Sequence, residues 1–226
     1  MRYPGGKGKC FQHLINLMPA HNTYIESHLG GGAVLRNKAP AERSIGIDKD
    51  PLVISEWNKR YFELCELIQA DATEYLRNYE FKGNELIYSD PPYVPSTRRR
   101  LRVYKHDYTI VDHEHLLKTL KSLPCMVILS GYDNDIYNDT LTGWRKEVFM
   151  AKTHTDIRQE CVWLNFDPPK KLHDATHLGS NFRERQTIKR RQERLHERIR
   201  NMDPLERSEL MQWLSTTYGS FSVGDA

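Results

Sequence analysis

The tetrapeptide Asp90-Pro91-Pro92-Tyr93 is the segment of this 226-residue chain best equipped for chemistry. It follows the apolar run Glu85-Leu86-Ile87-Tyr88-Ser89, so its carboxylate stands where a strand gives way to a turn. Two prolines stiffen that turn and fix the directions of the Asp90 carboxylate and of the carbonyl before each proline. Such rigid acceptors match the two hydrogens of an exocyclic amine, and the Tyr93 ring can stack on the heterocycle bearing it. An ordinary strand-ending turn can carry the same four residues, so the surroundings have to decide.

Those surroundings are acidic in a patterned way. Short β-type runs recur at Tyr24–Glu26, Ser44–Asp48, Glu66–Asp71, Glu85–Asp90 and Met126–Ser130. Stretches with helical periodicity lie among them, at Phe11–Met18, Ala33–Lys38, Pro51–Tyr61 and His113–Leu123. Alternation of this kind predicts an α/β fold with a mostly parallel sheet. Glu147–Thr153 and Glu160–Phe166 follow without a helix between them and read as a terminal antiparallel hairpin. Four of the early strands end on an acid: Glu26, Asp48, Asp71 and Asp90. In an open parallel sheet those ends line the ligand crevice, which here would suit hydroxyls, amines and cations.

Composition removes several classes of protein. The chain is 38% hydrophobic with four Trp, too apolar for disorder. Its longest apolar run, Met126–Leu129, is far short of the ~18 residues of a membrane span, and the N-terminus lacks a signal-peptide core. A cytoplasmic protein is expected. Cys10, Cys65, Cys125 and Cys161 form no CxxC pair and read as buried thiols, and no metal site is expected. At Asp112-His113-Glu114-His115 the two histidines would point in different directions on a helix. That segment reads as a helix start capped by Asp112.

Several motifs together resemble the Dam-type N6-adenine DNA methyltransferases, which use S-adenosylmethionine. Arg2-Tyr3-Pro4-Gly5-Gly6-Lys7 is similar to that family's N-terminal cofactor motif, and Tyr24-Ile25-Glu26-Ser27-His28-Leu29-Gly30-Gly31-Gly32-Ala33-Val34 to its glycine-rich first-strand motif. Gly46-Ile47-Asp48 and Asp71-Ala72 fall where the second and third strands end, and Asp90–Tyr93 is the catalytic motif. The likeness extends through Ser130-Gly131-Tyr132 and Trp163-Leu164-Asn165 and covers roughly residues 1–169. It implies a Rossmann-like methyltransferase fold, a catalytic domain over 1–169 and a basic helical extension over 170–226.

The resemblance also implies roles. Tyr3, Gly5, Gly6, Lys7, Glu26, Gly30, Gly31, Gly32, Asp48, Asp71 and Asp90 would bind the cofactor. Glu26 would meet its methionine end, Lys7 would neutralise the methionine carboxylate, Asp48 would take the ribose hydroxyls, and Asp71 would lie near the adenine amine. The target base must leave the duplex to reach the pocket, at a cost of a few kcal/mol. Tyr93 would stack on it while Asp90 and the carbonyl before Pro92 accept the N6 hydrogens, aiming the nitrogen lone pair at the methyl for direct in-line transfer. RNA adenine-N6 and DNA cytosine-N4 offer the same kind of amine. A non-catalytic nucleic-acid-binding module on this fold is the other alternative.

Basic segments supply the nucleic-acid side. Arg98, Arg99, Arg100, Arg102, Tyr104 and Lys105 follow the catalytic motif closely and are expected to contact DNA. Residues 181–200 hold eight Arg/Lys against three Glu, with Ile188, Leu195 and Met202 seven apart. This amphipathic basic helix could track DNA backbone, form a homodimer within 181–218, or brace the domain. Two departures from the family stand out. Ser27-His28 replaces the usual Pro-Phe, making the pocket more polar. Only 18 residues lie between Asp71 and Asp90, which leaves no room for the usual target-recognition insert. Specificity is therefore either relaxed or read elsewhere.

Overall fold

A computed structural model describes residues 6–98, 105–152 and 157–219. They fall into two compact units that meet in sequence at His177 and Leu178. Residues 170–177 belong to the first, past the composition change near 169. They are tied down by a bridge between Pro19 and Leu172, by His173 stacked on His21, and by Asp174, which accepts from Ala39 N at 2.9 Å.

In the first unit α1 (Phe11–Ile15) precedes β1 (Thr23–Glu26), β2 (Arg43–Asp48), α2 (Pro51–Arg60), β3 (Glu66–Gln69), α3 (Ala72–Asn78) and β4 (Glu85–Ser89). Then come α4 (Ile110–Ser122), β5 (Met126–Gly131), α5 (Asp135–Thr140), β6 (Arg145–Lys152) and β7 (Ile157–Leu164). The strands make one sheet in the order β3-β2-β1-β4-β5-β7-β6. Pairs among β1 to β5 are parallel, and β7 runs antiparallel to both β5 and β6. This is the Rossmann-like architecture with a terminal antiparallel hairpin that the sequence predicts.

Central strands are apolar throughout because both faces are covered. Tyr24, Leu86, Tyr88, Ile128 and Val162 point to one side, into a core with Leu14, Met18, Val53 and Trp57. Ile25, Ile45, Ile87, Val127 and Trp163 point to the other, against Leu76, Leu116, Leu120 and Tyr137. The parallel register sets Glu26 beside Gly46 and Tyr88, and Asp48 beside Gln69. One edge of the sheet therefore gathers the acidic strand ends. The chain order reverses between β1 and β4, which places the switch-point crevice beside Glu26 and Asp90.

Three local expectations need correction. Ala33–Lys38 is a series of turns and not a continuous helix: Arg36 N and Lys38 N reach Gly32 O and Val34 O at 3.0 Å, while Leu35 N, in the first turn, donates to Glu26 Oε2 at 3.0 Å. The first helix stops at Ile15, short of Met18. The cap of α4 is Thr109, with Asp112 as the reciprocal N3 partner of a capping box. His113 inside α4 is buried and hydrogen-bonds Tyr137 Oη at 3.0 Å.

The second unit holds α6 (Phe182–Arg200) and α7 (Pro204–Tyr218), capped by Asn181 and Asp203. Neither helix has a buried residue. Among the described residues no helix is long and apolar enough to cross a membrane.

Candidate active site

Glu26 ends β1 almost fully buried. Tyr24 Oη and Leu35 N both donate to its Oε2, at 2.9 and 3.0 Å. Among the described residues Oε1 has no partner, and Glu26 lines a cleft. Burial pushes this carboxyl up to about 8, against those two donors. The glycine loop follows. Gly30 and Gly32 have φ of 45° and 54°, the left-handed region that glycine enters without strain. A Cβ on Gly32 would lie 2.0 Å from Trp57 Cζ2, and the same Trp57 donates from Nε1 to Gly30 O at 2.9 Å. The loop is thus drawn tightly over α2, leaving its backbone as the cleft wall.

Asp48 ends β2 with both oxygens held by backbone: Gly30 N donates to Oδ2 and Asp50 N to Oδ1, each at 2.8 Å. Burial raises its pKa, and those two donors oppose the rise. The carboxylate is clamped in one orientation, which makes it a directional acceptor. Asp71 lies just past β3 and caps α3 through Oδ1, while Lys49 Nζ is 3.3 Å from its Oδ2.

Asp90, just past β4, faces a cation. Lys7 Nζ donates to Asp90 Oδ1 and Oδ2 at 2.6 and 2.8 Å, and to Tyr93 Oη at 2.7 Å. Tyr93 Oη in turn donates to Glu160 Oε2 at 2.5 Å. Burial alone would lower the Lys7 ammonium, but Asp90 and Glu160 outweigh it and hold it above its ordinary value. Burial pushes the Asp90 carboxyl up, and Lys7 pulls it back. Sequence reasoning had no place for Glu160. Its one signal is a carboxylate at the head of the apolar run Cys161–Leu164 of β7.

A polar wall completes the cleft. His28 Nε2 hydrogen-bonds Tyr108 Oη at 2.8 Å, and its Nδ1 hydrogen-bonds Ser27 Oγ at 2.9 Å. Burial pushes the imidazole down to about 3, so it is neutral. Ser27-His28 does make the pocket polar, and Tyr108 is a lining residue the motifs did not reveal.

The cleft brings Gly6, Lys7, Glu26, Gly30, Gly31, Gly32, Asp48, Asp71, Asp90 and Pro92 onto one surface, around about 810 Å³ of space partly open to solvent. Pro91 and Tyr93 are not in that lining. Tyr93 is buried, with its ring edge-on to Tyr132 at 4.5 Å, so in this structure it offers no open stacking face.

Similar folds occur among solved structures. One is the TrmK protein of M. capricolum in complex with S-adenosylhomocysteine, at 7% identity and TM-score 0.48, covering 91% of this chain and 93% of that one. An rRNA methylase from Streptococcus thermophilus is 15% identical, TM-score 0.46, over 73% of this chain and 97% of its own. Magnesium protoporphyrin IX methyltransferase from Synechocystis, with bound S-adenosylmethionine, is 14% identical, TM-score 0.46, over 69% and 74%. No protein-family model and no curated protein sequence matches the chain.

The expected DNA-contact residues are only partly described. Arg99, Arg100, Arg102 and Tyr104 lie outside the described residues, as do Tyr3 and Gly5 of the expected cofactor-binding set. Arg98 is not a surface charge as expected: its side chain is 5% exposed and donates to Asp107 Oδ1 at 2.7 Å. Lys105 is exposed, with Nζ 3.0 Å from Asp50 Oδ1.

Proposed function

We propose that the chain is an S-adenosylmethionine-dependent methyltransferase acting on N6 of adenine in DNA. One observation carries the reading. At the switch point of the sheet a cluster of acceptors already grips a nitrogen donor, with Asp90 and Tyr93 at 2.6–2.8 Å from Lys7 Nζ. An exocyclic amine presents the same kind of N–H groups to the same acceptors. The residues Asp90-Pro91-Pro92-Tyr93 and their likeness to the Dam-type motif support adenine as the base.

The neighbouring cleft fits the cofactor by its chemistry. Glu26 Oε1 is an unpartnered acceptor for a cationic group, Asp48 is oriented for hydroxyls, and the glycine loop admits close backbone approach. Asp71 stands further along the same edge. S-adenosylmethionine supplies an electrophilic methyl group when bound. The chain's own residues do the rest: Asp90 and the Pro91 carbonyl accept the amine hydrogens and orient the nitrogen lone pair. Lys7 would release Asp90 on taking the methionine carboxylate as its partner. Positioning and complementarity to the positive charge developing on nitrogen supply most of the acceleration.

The test is to incubate the protein with labelled S-adenosylmethionine and duplex DNA, digest, and identify the modified nucleoside. N6-methyladenine is expected from the wild-type protein and not from Asp90→Ala. Label in N4-methylcytosine, label only in RNA, or no label in either protein would overturn the reading.

A further inference from the structure

The helix α6 divides its charges by side. At about 100° per residue, Ile188, Leu195 and Ile199 share one narrow stripe. Next to it, Arg183, Arg190, Arg191, Arg194 and Arg198 fall within an arc of about 100° that contains no acidic residue. Lys189 and Arg200 lie on the other side, where each has a glutamate: Lys189 Nζ is 3.9 Å from Glu193, and Arg200 pairs with Glu197. None of the five arginines in the arc has an acidic partner among the described residues. All five are exposed.

We propose that this arginine ridge is a phosphate-binding surface, and that its occupant is the backbone of a nucleic-acid duplex. The proposal takes its partner from the function proposed above and extends it to a unit that shares no residue with the cleft. Arg183 to Arg198 spans about 22 Å of helix, long enough to follow several consecutive phosphates. Five exposed guanidiniums outnumber the acids beside them, Glu197 and Glu206 in a depression shared with Arg194 and Arg198, and bring a net positive field. Arginine forms paired hydrogen bonds to phosphate oxygens that lysine does not. The helix is folded before it meets a partner: Asn181 caps it, accepting from Glu184 N at 3.0 Å, and Glu184 Oε2 accepts from Ser180 N at 2.8 Å. The apolar stripe is too narrow for a helix that embeds in a membrane surface, where a broad Leu, Phe or Trp face is needed. Contacts to phosphate carry no sequence information, so the binding this ridge provides is indifferent to sequence.

The full chain should be titrated against a fluorescent DNA duplex of arbitrary sequence over a range of salt. For Arg190→Gln/Arg194→Gln/Arg198→Gln, the slope of log affinity against log salt should become shallower by about 2–3 relative to wild type. The loss should be equal for duplexes of different sequence. Lys189→Gln/Arg200→Gln on the paired side should leave the slope unchanged, and the triple Arg→Lys variant should keep most of it. Glutamine sustains an exposed helix nearly as well as arginine, and circular dichroism checks that it has done so. A slope unchanged in the triple Gln variant overturns the proposal. So does loss of binding to anionic lipid vesicles, or a change of oligomeric state, with the duplex slope intact. The outcomes separate the two claims. A shallower slope in a protein that makes no N6-methyladenine keeps the ridge and removes the adenine reading. An unchanged slope in a protein that does make it removes only the ridge.

Discussion

The cleft and the C-terminal helices carry charge in opposite ways. In the cleft three acidic strand ends are largely withdrawn from water and meet specific partners: Asp90 meets Lys7, Asp48 meets two backbone N–H groups, and Glu26 meets Tyr24 and Leu35. On α6 the charges stand in water, and five arginines face outward together. A low-dielectric site makes every pairing expensive to disturb, whereas an exposed helix averages its charges through solvent and salt. The comparison teaches where single residues matter. One substitution should transform the cleft, while α6 should respond only to several at once.

The largest effect should come from Asp90→Asn. It keeps the size of the side chain but removes the negative charge that faces Lys7 and, in the proposed function, would face the amine. Methyl transfer should fall by about 10²–10³-fold in kcat, with cofactor affinity changed much less. Stability should also fall, by about 3 kcal/mol, because the Lys7 ammonium remains buried with one anion fewer. Isothermal titration with the cofactor and single-turnover label transfer measure the two parts separately. Wild-type turnover in Asp90→Asn would erase the contrast between the regions.

Gly32→Ala comes next. Its Cβ would meet Trp57 at 2.0 Å in a backbone conformation of φ 54°, so both overpacking and strain oppose it. A loss of about 3 kcal/mol in denaturant unfolding is expected. In a Trp57→Leu background, measured against that single variant, Gly32→Ala should cost only the φ penalty of about 1–2 kcal/mol. If Gly32→Ala costs as much in that background as in wild type, the close approach of loop and α2 is not what limits this position.

Much of this was open to reading in the sequence because it is local. An apolar run ending on Asp, as at Ile45-Gly46-Ile47-Asp48, announces both a strand and a crevice acid in five residues or fewer. The arginines of α6 show the same economy, since helical period alone sorts them by side. What stayed hidden depends on chain closure. Lys7 meets Asp90 across 83 residues, and Tyr93 meets Glu160 across 67. Neither pairing has a local signature, and β7 had to be inserted beside β5 before Glu160 could reach the cluster.

Proton linkage at Glu26 sharpens the contrast through its pH dependence. Its folded pKa, about 8, lies above the ordinary carboxyl value of 4.5, so the folded protein keeps a proton that the unfolded chain has released. The contribution to stability is therefore undiminished below about pH 4.5 and declines as pH rises toward about 8. Glu26→Gln should flatten that decline by on the order of 4 kcal/mol in thermal unfolding followed from pH 5 to 9. With the cationic cofactor the sign reverses, since the charged carboxylate is the better partner. Wild-type affinity should climb through pH 8 while that of Glu26→Gln stays level. An identical pH dependence in both proteins would mean that the proton sits elsewhere.

The smallest effect belongs to the exposed helix. Asn181→Ala removes the side chain that accepts from Glu184 N, an interaction worth about 1 kcal/mol. Solvent already surrounds the first turn of α6, so water can take over the freed N–H groups. The loss should stay local: amide exchange across residues 182–186 should quicken several-fold, while cofactor affinity and the unfolding of the first unit stay as they are. A matching drop in cofactor affinity would show that a change at the cap of α6 reaches the cleft, and the two regions would then have to be treated as one coupled system.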